Sequence, residues 1–105
     1  MQIETKPLLR VRLRDFAVEH NLIMETVERS RTFYCADKDF ENNRWYAHFK
    51  GVEIDEGFTL LGATGNGPTP AKAIRDYAAR ISEKKIVIGA YTTERKEIYV
   101  PVLYV

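Results

Sequence analysis

At 105 residues, 45% hydrophobic and 30% charged, the chain has the size of one domain (1–105) and enough apolar material to close a core. Sixteen basic against fifteen acidic residues leave a formal charge of +1. That is far from the basic excess of proteins that wrap duplex nucleic acid, so a long nucleic-acid partner is not expected. No stretch approaches the roughly 20 apolar residues of a membrane span, MQIETKPLLR has no apolar run of a signal peptide, and a lone cysteine, Cys35, excludes an internal disulfide and fits a reducing cytoplasm.

In chain order, Pro7 suits a first helical turn. Leu9, Leu13, Phe16, Ala17 and His20 then recur on one helical face, with Asn21 as a stop and Arg10, Arg12 and Arg14 on the solvated side. Residues 22–29 and 32–36 read as strands, and DKDFENN as a polar loop. RWYAHFKGVEI, 44–54, alternates as one strand, with Trp45, Ala47 and Phe49 against Tyr46, His48 and Lys50. Asp55-Glu56-Gly57 marks a hairpin turn, and 58–64 the returning strand.

The stretch TGNGPTPAKAIRDYAARIS, 64–82, holds two glycines, an asparagine and two prolines before a helical pattern. Thr69 is placed to cap and Pro70 to open the helix, with Ala71, Ile74, Tyr77, Ala78 and Ile81 as its apolar stripe. Residues 85–91 read as a strand. The last segment, KEIYVPVLYV, is apolar on both faces, which points to burial against a second subunit. The expected fold is α+β: a single small domain with an antiparallel sheet and two helices, in the order α-β-β-β-β-α-β-β.

Catalytic chemistry is hard to find. His20, His48 and Cys35 lack the spacing of a metal site, so no metal or other cofactor is expected. No nucleophile stands beside a base, Cys35 lies in an apolar strand, and the carboxylates of Glu53, Asp55 and Glu56 cluster at a turn; the chain is read as a non-enzyme. The glycine stretch matches neither GxxxxGK[ST] nor GxGxxG, since Pro70 stands where the last glycine would be. A strand, a Gly65-Asn66-Gly67 turn and a helix start at Thr69 nevertheless combine free N–H groups with the positive end of a helix dipole. That arrangement can receive an anion, or it can simply bend the chain. Tyr46, Phe58 and Tyr91 near strand ends offer rings for stacking, and Arg44, Arg75 and Arg95 offer bidentate forks for phosphate.

From Arg44 to Pro101, the pattern RWYAHFKGVEI…GNGPTPAKAIRDYAARI…IVIGAYTTERKEIYVP resembles short bacteriophage proteins of the Thoeris anti-defence type. These are sponges that bind the cyclic ADP-ribose signal of bacterial TIR-domain immunity, and some also bind cyclic oligonucleotides. The resemblance covers a little over half the chain. It implies an oligomeric protein of the host bacterial cytoplasm that sequesters a small anionic cyclic nucleotide without cleaving it. It also implies ligand contacts at Asn66, Gly67 and Arg95. Two other readings stand beside it. One is an interaction protein of the anti-CRISPR kind. The other is a double-stranded-RNA-binding module, whose helix–three-strand–helix order and G-x-G-x-[ST] helix entry are loosely matched, although Thr69-Pro70-Ala71 replaces the lysine pair expected at the start of that helix.

Overall fold

Alternation in WYAHF sets the architecture, because it places Ala47 and Phe49 on one side of a strand, both fully buried, and Tyr46 and His48 on the other. The computed structural model describes residues 10–30 and 37–105. Its elements are β1 (Arg10–Arg12), α1 (Leu13–Glu19), β2 (Met24–Glu28), α2 (Asp37–Asn42), β3 (Trp45–Phe49), β4 (Val52–Asp55), β5 (Leu60–Leu61), β6 (Gly65–Gly67), α3 (Pro70–Ile81), β7 (Lys85–Ile88), β8 (Lys96–Tyr99) and β9 (Val102–Tyr104). The fold is α+β.

Three sheets are formed among these residues: β2-β3-β6 and β5-β4-β7-β8, both antiparallel, and a parallel pair, β1-β9. Helix α3 lies on β3 and β6, where Tyr77 meets Phe49 edge-on at 5.5 Å. Helix α1 reaches the same side, with Phe16 at 6.4 Å from Phe49. Val52, Ile54 and Ile86 of the four-stranded sheet, with Val100 and Leu103, extend this one core.

Helix α3 forms as its sequence dictates. Thr69 Oγ1 accepts the Lys72 N–H at 3.2 Å, and Pro70 occupies the first turn. Its stripe is shifted by one contact, with Ala73 buried and Ala71 exposed. Asn21, at φ 55°, ends the first helical segment, and Gly57, at φ 91°, turns the β4–β5 hairpin with its N–H on the Asp55 carboxylate.

Several expectations are corrected. Residues 10–12 are a strand rather than helix, because β9, 92 residues further along the chain, supplies a parallel partner. The DKDFENN loop contains α2, held by the buried Phe40. The single strand over 44–54 breaks at Gly51, which takes φ 71° and sends β3 and β4 into different sheets. The returning strand shortens to β5, the strand over 85–91 stops at Ile88 before Gly89 (φ 60°), and the last segment divides at Val100-Pro101 into β8 and β9. One sheet of the three is parallel, and a third helix joins the expected two. The strand read over 32–36 and the start of the helix at Pro7 lie outside the described residues.

The apolar C-terminal segment is largely covered by its own chain: Val100 and Leu103 are buried, and Ile98 and Val102 half-buried. Covering by a second subunit is therefore not needed to explain it. Among the described residues, no helix is long and apolar enough to cross a membrane.

Candidate functional site

Gly65-Asn66-Gly67 is not a turn. It is β6, paired antiparallel with β3 through Trp45↔Gly67, Tyr46↔Asn66 and Ala47↔Gly65. Neither glycine takes positive φ. Both are buried because α3 crosses directly over them. A Cβ on Gly65 would collide with the backbone N of Tyr77 and the carbonyl O of Ala73, and one on Gly67 would stand 2.8 Å from the Ala73 N. The close approach these glycines permit is therefore that of the protein's own helix.

The N–H groups are also committed. Asn66 N–H donates to Asp76 Oδ2 at 2.8 Å, and the Asn66 side-chain amide reaches back to the Thr64 carbonyl at 3.4 Å. Asp76 is in turn paired with Arg80 at 2.9 Å. A carboxylate beside the strand discourages an anion there, and Thr69 Oγ1 already satisfies one N–H of the helix start. The phosphate cradle read from the glycine stretch is not what this geometry builds.

The nine residues singled out in the sequence are dispersed. Phe58 is fully exposed in the β4–β5 turn. Tyr91 and Arg95 lie in the exposed β7–β8 connection, whose Gly89 N–H bonds the Gly51 carbonyl at 3.0 Å. The β4–β7 register places that connection and Phe58 at opposite ends of the four-stranded sheet. Arg75 points outward from α3, and Thr69 is the cap. Gly67 lies beneath the helix.

Two of the nine do come together. Tyr46 and Asn66 are direct cross-strand partners; Arg44 precedes β3, and its Nε lies 3.3 Å from Glu28, which pairs with Trp45. Tyr46 and His48 stand on the sheet side away from α3, their rings stacked at 6.1 Å, opposite Val27 and Glu25 of β2. Continuing that side of β2, Arg29 lays its guanidinium over the Tyr46 ring at 4.7 Å and donates to the Asn43 carbonyl at 2.8 Å. All of Arg29, Arg44, Tyr46, His48 and Asn66 are half-buried.

Arg29 was missed in the sequence. The signal was the period-2 run Glu25-Val27-Arg29, and its meaning appears only once the β2–β3 register places Val27 opposite Tyr46. What the arrangement can do is bind: an aromatic face, a fixed guanidinium, an imidazole and an amide stand side by side. Among the described residues no group of His, Cys, Asp and Glu could hold a metal ion.

The chain matches no family model, no curated protein and no solved structure.

Proposed function

We propose that the protein is a non-catalytic binding protein that takes up a small anionic nucleotide at the Tyr46 side of the three-stranded sheet and holds it intact. The carrying observation is Arg29 stacked over Tyr46 with Asn66 and His48 as lateral neighbours. A base stacks on a π-face, amide and imidazole groups address its polar edge, and guanidinium forks take phosphate oxygens. The Arg44–Glu28 pair, half-exposed, is worth at most about 1 kcal/mol, so a phosphate can take Arg44 from it. Together with the resemblance to Thoeris anti-defence proteins, this favours a cyclic ADP-ribose isomer or a cyclic oligonucleotide, sequestered in the host bacterial cytoplasm by a homo-oligomer. The test is to mix the protein with an extract containing cyclic nucleotides, wash, denature by heat and identify what is released by mass spectrometry. Intact cyclic nucleotide at near one equivalent supports the reading. Hydrolysed product in stoichiometric excess defeats it.

A second reading is favoured by one observation. Taken without α2 and the β4–β5 hairpin that intervene in the chain, α1, β2, β3, β6 and α3 are a helix, three antiparallel strands in sheet order and a helix, with both helices on one side, as in a double-stranded-RNA-binding module. The net charge of +1 and the absent lysine pair weigh against it. Retardation of a short RNA duplex in a gel, lost on raising salt, would favour this module over the sponge.

A further inference from the structure

The parallel ribbon β1-β9 has two unlike faces. Val11 and Leu103, which are register partners, turn inward to the core, while Arg10, Arg12, Val102 and Tyr104 stand on the outer face. There the guanidinium carbons of Arg10 and Arg12 lie 5.5 and 5.6 Å from the centre of the same Tyr104 ring. One ring thus gathers two like charges. The ion pairs formed by the described residues engage Glu19, Glu28, Asp55, Asp76 and Glu97, and none of these carboxylates reaches Arg10 or Arg12.

We propose that Arg10, Arg12 and Tyr104 form a binding site for a phosphate-type oxyanion, separate from the Tyr46 side and independent of the function proposed for it. Two strand residues at i and i+2 share a face, and both guanidinium carbons lie within 5.6 Å of the centre of one ring. Guanidinium forks match the oxygens of phosphate, and an anion bound by both offsets the like-charge repulsion that the ring alone only moderates. The two forks are the charged groups of this face of the ribbon, so the site reads the phosphate group. Inorganic phosphate and the phosphate of a nucleotide therefore bind alike.

The test is an NMR titration of the whole chain at low ionic strength, following the Nε–H signals of Arg10 and Arg12 and the backbone amides of 10–12 and 102–104. The probes are inorganic phosphate, AMP, adenosine and, as an ionic-strength control, chloride. Phosphate and AMP should shift these signals saturably, and adenosine and chloride should not. Arg10→Gln and Arg12→Gln should each weaken phosphate binding by about tenfold, the scale of one charged hydrogen bond. Both residues are exposed, so the melting temperature serves as the check that each variant stays folded. Tyr104→Leu, which removes the ring both guanidinium groups lie against, should bind more weakly. Equal shifts with chloride, no shift with phosphate, or full binding by the folded double Gln variant would overturn the site. AMP shifting these signals while phosphate does not would show a base-reading site, which also contradicts the proposal.

Discussion

The Asp76 carboxylate of α3 accepts the backbone N–H of Asn66 at 2.8 Å, tying the middle of β6 to the helix that crosses it. The bond is part-buried and charge-assisted, whereas the Arg80 partner of the same oxygen is an exposed i,i+4 pair. Asp76→Ala should cost about 1.5 to 3 kcal/mol of stability, because it leaves the Asn66 N–H without its acceptor. Arg80→Ala should cost no more than about 0.5 kcal/mol. Urea denaturation of the two variants distinguishes a strand-to-helix tie from a surface ion pair.

Gly65→Ala tests the reason for the glycines. A methyl group there meets the backbone of Tyr77 and Ala73, and helix backbone cannot yield as a side-chain tip can. The expected loss is about 3 kcal/mol or more, at the upper end of overpacking effects. Gly67→Val should also destabilise, through Lys72 and Ala73, so a loss of ligand binding in that variant would not identify a ligand contact. A Gly65→Ala variant as stable as the parent would mean that α3 does not lie on β6.

What was legible in the sequence was local. Thr69-Pro70 and the spacing of Tyr77, Ala78 and Ile81 specify α3, and WYAHF specifies β3, because caps and periodicity act within a few residues. Pairing was not legible. Arg10–Arg12 looks like the solvated side of a helix until β9 is placed alongside it, and Gly65-Asn66-Gly67 looks like a turn until Trp45, Tyr46 and Ala47 pair with it. The candidate site followed the same division. Tyr46 and Asn66 were visible as residue types, but their adjacency and the Arg29 contact arise from register alone.

Assembly can be tested with the C-terminal strands. Val100 is 3% exposed and belongs to the core, so Val100→Lys should unfold the chain, since it places an unpaired charge among apolar side chains. Tyr99 is 72% exposed. Tyr99→Lys should keep the fold and, if β8 is the contact between copies in the proposed oligomer, shift light scattering towards a single chain. A folded Val100→Lys variant by circular dichroism would contradict the burial argument.

Alkaline pH should weaken the fold through two groups. Burial pushes the Tyr77 phenol above its usual 10.0, outweighing a hydrogen bond with the Phe49 backbone. The Lys85 ammonium is raised above 10.5, chiefly by its hydrogen bond to Glu97; desolvation opposes this, and the charges of Glu97, Asp55 and Tyr99 add to the rise. A pKa raised on folding gives stability that is complete below the unfolded value and is lost as pH rises through the folded one. Stability should therefore hold up to about pH 10 and fall above it. Tyr77→Phe should flatten the tyrosine's part of that fall in melting curves taken across the range, and an unchanged slope would show that Tyr77 ionises freely.

The central claim is uptake of a nucleotide beside Tyr46, and calorimetric titration of the captured cyclic nucleotide tests it most directly. Tyr46→Ala should weaken binding by about 1 to 3 kcal/mol, the scale of one base–aromatic stack, and Arg29→Gln should weaken it as well. Phe58→Ala and Arg95→Ala, at the two ends of the other sheet, should bind as the parent does. Full affinity in a folded Tyr46→Ala variant, with binding lost in Arg95→Ala, would place the ligand elsewhere and contradict the account.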